Sequence, residues 1–152
     1  MSTLNDVYRK FGETSEAAQL LETGLGNLLL EVGGIEADLF HNPNPVVAME
    51  LMTKINRKTL GQLIRNAKRA VYSVNELETI LSEAQSERNR LAHTFYRQHN
   101  FRRNSEEGCQ IMMDDLEKIH HKILEAYKAI LLLSGIDIEK IELEAPTKHV
   151  KI

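Results

Sequence analysis

SEEGCQIMMDDLEKIHHKILEAYKAILLLSG, residues 105–135, is the segment with the clearest helical pattern in this chain. Its apolar residues recur with alternating four- and three-residue spacing, as on the buried face of a long helix. They are Met112, Leu116, Ile119, Ile123, Ala126, Ile130 and Leu133. Ser105 can cap the start of the helix, Glu106 and Glu107 can complement its dipole, and Gly135 can end it. The segment therefore predicts a long final helix with one buried face.

The first 34 residues predict a second long helix, because their apolar residues also fall on one helical face. These residues are Val7, Phe11, Ala18, Leu21, Leu25, Leu28 and Val32. The pair Gly33-Gly34 predicts a C-terminal stop. Gly12 predicts a local kink or break, because glycine inside a helix costs roughly 1 kcal/mol relative to alanine.

A broken helical region follows the first helix. Residues 40–45, FHNPNP, predict a loop, and Pro45 suits the first turn of the next helix. Helical spacing then covers Val46 to about Ile55 and Thr59 to Val71, with a break near residues 56–58.

A capping box of the form Ser73-x-x-Glu76 predicts the start of another long helix, which extends to about Gln98. Its inward residues are predicted to be Leu77, Leu81, Ala84, Leu91 and Phe95. Residues 102–104 predict a turn. The chain is thus expected to be an all-α domain over residues 1–135, a bundle of four main helices with the second one broken. Residues 136–152 form a C-terminal tail with a weak strand pattern at its start.

Composition limits the classes of function. The chain has 152 residues, a net charge of -3 and one cysteine. One cysteine excludes an internal disulfide and favours a reducing cytoplasm. We expect no membrane association and no export, because no apolar run approaches the ~20 residues of a membrane span and the N-terminus lacks a signal-peptide pattern. The acidic balance, with a pI near 6.1, disfavours nonspecific binding of duplex DNA, so any contact with nucleic acid must be local.

A run of cationic and titratable residues from Arg88 to Arg103 contains no Asp or Glu. Helical spacing places Arg88 on the apolar stripe, and it places Asn89, His93 and Tyr96 on a neighbouring ridge. In RNA cleavage through the ribose 2′-hydroxyl, His93 can transfer the proton and Arg88 can stabilise charge on phosphorus, while Asn89 orients either one. The alternative interpretation makes Arg88 the partner of a core carboxylate such as Glu22 and leaves His93 as a surface residue.

The segment ERNRLAHTFY, residues 87–96, resembles the signature of HEPN domains (higher eukaryotes and prokaryotes nucleotide-binding). That signature is an arginine followed by a polar residue and then, within a short window, by a histidine. The resemblance extends to EAAQLLE at 16–22, TLGQLI at 59–64 and the last helix, and so covers about residues 4–134. A subgroup of toxins has tyrosine two residues after the histidine, where this chain has Phe95.

The resemblance implies an up-and-down helical bundle that pairs as a homodimer, with the two motifs facing each other. It further implies a metal-independent endoribonuclease, a toxin or antiphage effector with a cognate antitoxin or regulatory protein, whose catalytic residues are Arg88, Asn89 and His93. No metal or other cofactor is expected. The side chains expected to contact RNA are Arg90, Tyr96, Arg97, Arg102 and Arg103. The competing hypothesis is a noncatalytic dimeric helical protein that binds nucleotide, RNA or a protein partner.

One other pattern has the spacing of metal ligands. Glu117-x-x-His120 resembles half of a carboxylate-bridged di-iron site, but the chain has no second Glu-x-x-His to complete it. A zinc site would need converging histidines and cysteines, which one cysteine and scattered histidines do not supply. We therefore expect a structural or solvated role for His120 and His121.

Overall fold

The computed structural model describes residues 1–70 and 75–135, and this part of the chain is helical with no strand. The prediction of an all-α fold is confirmed. The helices are α1 (Leu4–Glu36), α2 (Pro45–Asn56), α3 (Leu60–Ala70), α4 (Asn75–His93), α5 (Phe95–Gln98) and α6 (Glu106–Leu133), with a 3₁₀ turn at Arg102–Asn104 before α6. The cap predicted at Ser73 and the tail at 136–152 lie outside the described residues. None of the described helices is long and apolar enough to cross a membrane.

Helix α6 follows its predicted pattern closely. Six of the seven predicted core residues are buried, and Leu133, at the last position, is 41% exposed instead. The Ser105 hydroxyl accepts a hydrogen bond from the backbone N–H of Gly108 at 3.0 Å, which confirms the N-cap. Gly135 follows the helix with φ of +78°, the left-handed conformation that glycine adopts without strain.

Helix α1 departs from two predictions. It passes Gly12 without a break, and it continues through Gly33 and Gly34 to Glu36. A Cβ atom on Gly33 would lie 2.8 Å from Cδ2 of Leu51, so the bare backbone of Gly33 is where α2 packs closely on α1. Burial of the apolar face of α1 outweighs the glycine cost, and the chain leaves the helix only at Ala37 and Asp38, whose φ is +54°.

The predicted loop and the broken second region are confirmed. The side-chain oxygen of Asn44 accepts hydrogen bonds from the backbone N–H groups of Val46 and Val47, at 3.1 and 3.3 Å, so α2 begins at Pro45. After residues 57–59, α3 begins behind a capping box in which Thr59 and Gln62 exchange side-chain hydrogen bonds.

The predicted single helix up to Gln98 is wrong at one residue. Helix α4 ends at His93, and Thr94, with φ of -131°, separates it from α5. The Thr94 hydroxyl donates to the carbonyl oxygen of Arg90 at 3.2 Å, beside the regular bond from the Thr94 backbone N–H at 3.0 Å, and a side-chain bond of this kind bends a helix. Leu81, Ala84, Leu91 and Phe95 are buried as predicted, and Leu77 is partly buried.

Side-chain pairs establish the directions of the three longest helices. Ser2 and Lys10 contact Gln110 and Glu117, so α6 runs parallel to α1. Arg88 of α4 contacts Glu22, and Phe95, just after α4, contacts Phe11. Helix α4 therefore runs in the opposite direction to α1. This arrangement brings the end of α4, α5 and the 3₁₀ turn to the same end of the molecule as the start of α1.

Candidate functional site

Arg88 makes the ion pair that the alternative interpretation expects. Its Nη2 donates to Oε1 of Glu22 at 2.9 Å, with 31% of the Arg88 side chain and 33% of the Glu22 side chain exposed. Its Nη1 donates to the side-chain oxygen of Asn89 at 3.3 Å. Arginine has five N–H donors, so these two bonds leave donors available for a phosphate. Glu22 therefore orients the guanidinium and partly neutralises its charge.

Asn89 and His93 lie on the outer surface of α4, and both are exposed. Their four-residue spacing places them on the same helical face. His93 is the last residue of α4, and its backbone oxygen accepts a hydrogen bond from Nη2 of Arg97 at 3.2 Å. Arg88 is thus fixed beside Asn89, and His93 is exposed one turn of α4 beyond Asn89.

Two clefts border the ion pair between Arg88 and Glu22. The one on the Arg88 side has a volume of about 320 Å³ and is lined by Asn89, Gln85, Thr59 and Arg65, among others. Arg65 is exposed, and it is a second cation that the sequence pattern does not connect with Arg88, because they belong to different helices. The cleft on the Glu22 side has a volume of about 330 Å³.

Arg90 is partly buried and fully bonded. It donates to both oxygens of Asp115 at 2.7 Å, to Oε2 of Glu87 at 2.8 and 3.0 Å, and to Gln98 at 3.2 Å. These bonds use all five of its N–H donors. The Arg90 hydrogen bonds, with a further one from His99, lower the pKa of Asp115 to about 2. Arg90 has no donor left for the RNA contact that we expected from the sequence.

His99 joins the same network, although sequence reasoning assigned it no role. The ring is buried, with Nε2 2.6 Å from Oδ2 of Asp115 and Nδ1 2.8 Å from Nη1 of Arg102. Because the Arg102 guanidinium can only donate, Nδ1 of His99 accepts its hydrogen bond. Nε2 of His99 is therefore protonated and donates a hydrogen bond to Asp115. The ring also lies 4.6 Å from that of Phe95, centroid to centroid. Arg102, expected to contact RNA, is therefore fixed in orientation by a buried histidine.

Tyr96 and Arg103, which were also predicted to contact RNA, lie near the start of α1. Tyr96 is 40% exposed, and its ring packs against those of Phe11 and Phe95, at centroid distances of 5.1 and 5.2 Å. Burial, with a smaller contribution from Tyr8, raises the pKa of the Tyr96 hydroxyl. Arg103 donates from Nη2 to the hydroxyl oxygen of Tyr8 at 3.0 Å. Sequence reasoning missed Tyr8, because 88 residues separate it from Tyr96 along the chain.

Glu117 and His120 bind a lysine. The buried Lys10 places its Nζ 2.8 Å from Oε1 of Glu117 and 2.9 Å from Nδ1 of His120. Burial and the positive charge of Lys10 lower the pKa of His120. Within the described residues, no group of three or more His, Cys, Asp or Glu side chains is arranged to hold a metal ion.

Comparisons of this chain with protein-family models, with curated proteins and with solved structures find no match. A proposal for its function therefore depends on the residues and contacts described above.

Proposed function

We propose that this protein is a HEPN-like, metal-independent endoribonuclease that acts as a homodimer in the cytoplasm. The observation that carries the proposal is that the half-buried Arg88 is bonded to Asn89, while Asn89 and His93 share the exposed face of α4. Arg88 is bonded to Asn89, and the His93 ring is exposed. In the sequence these residues form an Arg-polar-x-x-x-His pattern that resembles the signature of HEPN domains.

The proposed chemistry is attack of a ribose 2′-hydroxyl on the adjacent phosphodiester. The His93 imidazole takes the 2′-hydroxyl proton or protonates the leaving 5′-oxygen. Arg88 donates hydrogen bonds to the phosphate oxygens while charge builds up on phosphorus. Asn89 holds the guanidinium in place through its side-chain oxygen. These groups supply proton transfer and charge stabilisation without a metal ion.

A dimer completes this chemistry, because one copy supplies one histidine for two proton-transfer roles. We propose an up-and-down bundle whose outer α4 face, including Ser86, Asn89 and His93, pairs around a twofold axis. All three of these residues are exposed in the single chain, so they are accessible to a second copy. The opposite directions of α1 and α4, and of α4 and α6, support the up-and-down arrangement.

The biological role proposed with this activity is that of a toxin or antiphage effector, controlled by a cognate antitoxin or regulatory protein. Position 95, where a subgroup of toxins has tyrosine, is a phenylalanine that is 1% exposed. The neighbouring Tyr96 carries an aromatic hydroxyl on a side chain that is 40% exposed. Any control through modification of a tyrosine in this motif would therefore act at Tyr96.

A noncatalytic binding protein is the second candidate, and the Arg88–Glu22 ion pair favours it. A half-buried arginine needs a partner whatever its function, and Glu22 satisfies that need. Helix α2 also exposes apolar side chains, Val46 at 66% and Met49 at 64%, which fits a protein that binds partners. In this candidate the α4 face would bind nucleotide, RNA or a protein without cleavage.

The test is incubation of purified protein with total RNA in EDTA. We expect cleavage by the wild type and a rate lower by about 10²–10⁴ for His93→Ala, the usual loss for a general acid or base. His121→Ala is the matched control, because His121 is an exposed histidine on α6. Intact RNA with the wild type would favour the binding protein. Cleavage that appears only when Mg²⁺ or Mn²⁺ is added would place the chemistry elsewhere.

A further inference from the structure

Tyr8, Tyr96, Arg97 and Arg103 form an exposed patch of aromatic rings and cations at the end of the molecule where α1 begins, here called the tyrosine patch. The rings of Tyr8 and Tyr96 are 6.4 Å apart, centroid to centroid, with an angle of 62° between their planes. They are 45% and 40% exposed. The patch combines residues from α1, from α5 and from the 3₁₀ turn, so only the folded chain assembles it.

Packing and one hydrogen bond fix the rings of the tyrosine patch. Tyr96 packs edge-on against Phe95, which is 1% exposed, and its ring is tilted by 34° against that of Phe11. The hydroxyl of Tyr8 accepts the hydrogen bond from Arg103, which fixes the ring and the guanidinium relative to each other. An aromatic platform that is already ordered loses little conformational entropy when a ligand stacks on it.

One of the two cations of the patch, Arg97, lies next to the proposed catalytic residue. Arg97 donates to the backbone oxygen of His93, so its guanidinium lies at the end of α4 that carries the imidazole. Arg103 lies at the other side, against Tyr8. The nearest acidic residue along α1, Asp6, is already bonded to Thr3 and Arg9. The patch therefore combines partly exposed aromatic rings with two exposed guanidinium groups.

We propose that the tyrosine patch is a subsite for an unpaired nucleotide of single-stranded RNA, adjacent to the His93 site. One base stacks on the ring of Tyr8 or Tyr96, and Arg97 and Arg103 contact the neighbouring phosphates. Duplex RNA is excluded because its bases are already stacked on each other and present no free face. The inference rests on the proposed ribonuclease function for the identity of the ligand, and it adds Tyr8 and a place where one base stacks.

Binding measured without cleavage tests the subsite separately from the enzyme. The protein would carry His93→Ala, and the probe would be a fluorescein-labelled RNA of about 12 nucleotides, free or annealed to its complement, followed by anisotropy. We expect tighter binding of the single strand, and losses of about five- to 150-fold for Tyr8→Ala and for Tyr96→Ala, the range for one stacked base. The chain has no tryptophan and four tyrosines, so the part of the tyrosine quenching that is lost in Tyr8→Ala and Tyr96→Ala reports stacking on the patch.

Matched variants separate stacking from folding. Phe40→Ala removes an aromatic ring that is 71% exposed outside the patch and should bind RNA normally. Tyr8→Phe keeps the ring and loses the hydroxyl that holds Arg103, so it should bind more tightly than Tyr8→Ala. Tyr8→Leu and Tyr96→Leu keep apolar bulk without an aromatic face, and they should lose affinity even if an alanine variant fails to fold.

Three results would overturn the subsite: equal binding of single strand and duplex, leucine variants that bind like the parent, or tyrosine variants that change only the oligomeric state in sedimentation. The third would assign the patch to a contact between copies of the chain. If the wild type cleaves no RNA but the leucine variants lose RNA binding, the subsite is upheld and the ribonuclease function is rejected. If the wild type cleaves RNA and the leucine variants bind RNA normally, the ribonuclease function is upheld and the subsite is rejected.

Discussion

The five arginines between residues 88 and 103 differ in what their guanidinium groups contact. Arg90 is saturated by carboxylates and an amide, whereas Arg88 shares its donors between Glu22 and Asn89. Arg97, Arg102 and Arg103 are exposed, and the guanidinium of each donates one hydrogen bond. The acceptors are, in that order, a backbone oxygen, a histidine nitrogen and a tyrosine oxygen. A guanidinium that makes one bond to a neutral group keeps its full charge for a phosphate. These three residues are therefore the better candidates for RNA contacts.

Asp115 should link the stability of the protein to acid pH. Its folded-state pKa of about 2 is lower than the ordinary value of 3.8, so the folded protein binds this proton less readily than the unfolded chain does. The resulting stabilisation, about 2 kcal/mol, is complete above pH 4 and is lost as the pH falls from about 4 to 2. Urea denaturation of the wild type and Asp115→Asn should show a large difference at pH 7 that shrinks toward pH 2.

Asp114→Asn is the control for Asp115, because Asp114 is exposed and bonds only to Gln110, one turn away. Its effect should stay within about 0.5 kcal/mol of the wild type at both pH values. A difference between wild type and Asp115→Asn that is as large at pH 2 as at pH 7 would contradict the link to this carboxylate.

At the scale of elements, glycines mark where one segment lies close to another. A Cβ atom on Gly108, in the first turn of α6, would collide with the backbone oxygen of Arg102, whereas a Cβ on Gly12 meets nothing within 4 Å. Gly108→Ala must therefore push the 3₁₀ turn away from α6, and we expect a loss of about 1–3 kcal/mol in the free energy of unfolding. Gly12→Ala is the matched change and should stabilise α1 by up to about 1 kcal/mol.

Thermal denaturation of Gly108→Ala and Gly12→Ala measures these two changes in stability. If Gly108→Ala melts like the wild type, then the 3₁₀ turn does not pack on α6 as described. Because Arg102 and Arg103 belong to that turn, Gly108→Ala should also weaken the binding of RNA, while Gly12→Ala should leave it unchanged.

Helix bounds show which elements could be predicted. The Ser105 cap, the Asn44-Pro45 start of α2 and the break after Asn56 depend on local chemistry, so sequence patterns find them. The continuation of α1 through Gly33-Gly34 was not predicted, because Leu51, which packs closely on Gly33, belongs to another helix. The break at Thr94 has no glycine or proline to signal it, and it places α5 where His99 reaches Asp115.

At the scale of the whole molecule, the proposed dimer can be tested by cross-linking. The one native thiol, Cys109, is 3% exposed and should not react. In His93→Cys, a short bismaleimide should join two chains rapidly, because the twofold axis brings the two α4 faces together. His121→Cys puts the same thiol on an exposed position of α6 and should stay uncross-linked.

Sedimentation at micromolar concentration accompanies the cross-linking and should show a dimer. A monomer, or cross-links only in His121→Cys, would reject the α4 pairing. The monomer would then need a second proton-transfer group from its own chain, and no such group has been assigned to the motif.

The sequence alone determined the helical class of this protein, most helix bounds and the face that each long helix buries. These follow from side-chain periodicity and from caps, which act over one or two turns of the chain. Only the tertiary structure decided which charge each arginine meets, because Arg88 and Glu22 are 66 residues apart and Arg90 and Asp115 are 25 apart. An ion pair depends on distance in space, and helical periodicity contains no information about which helices become neighbours.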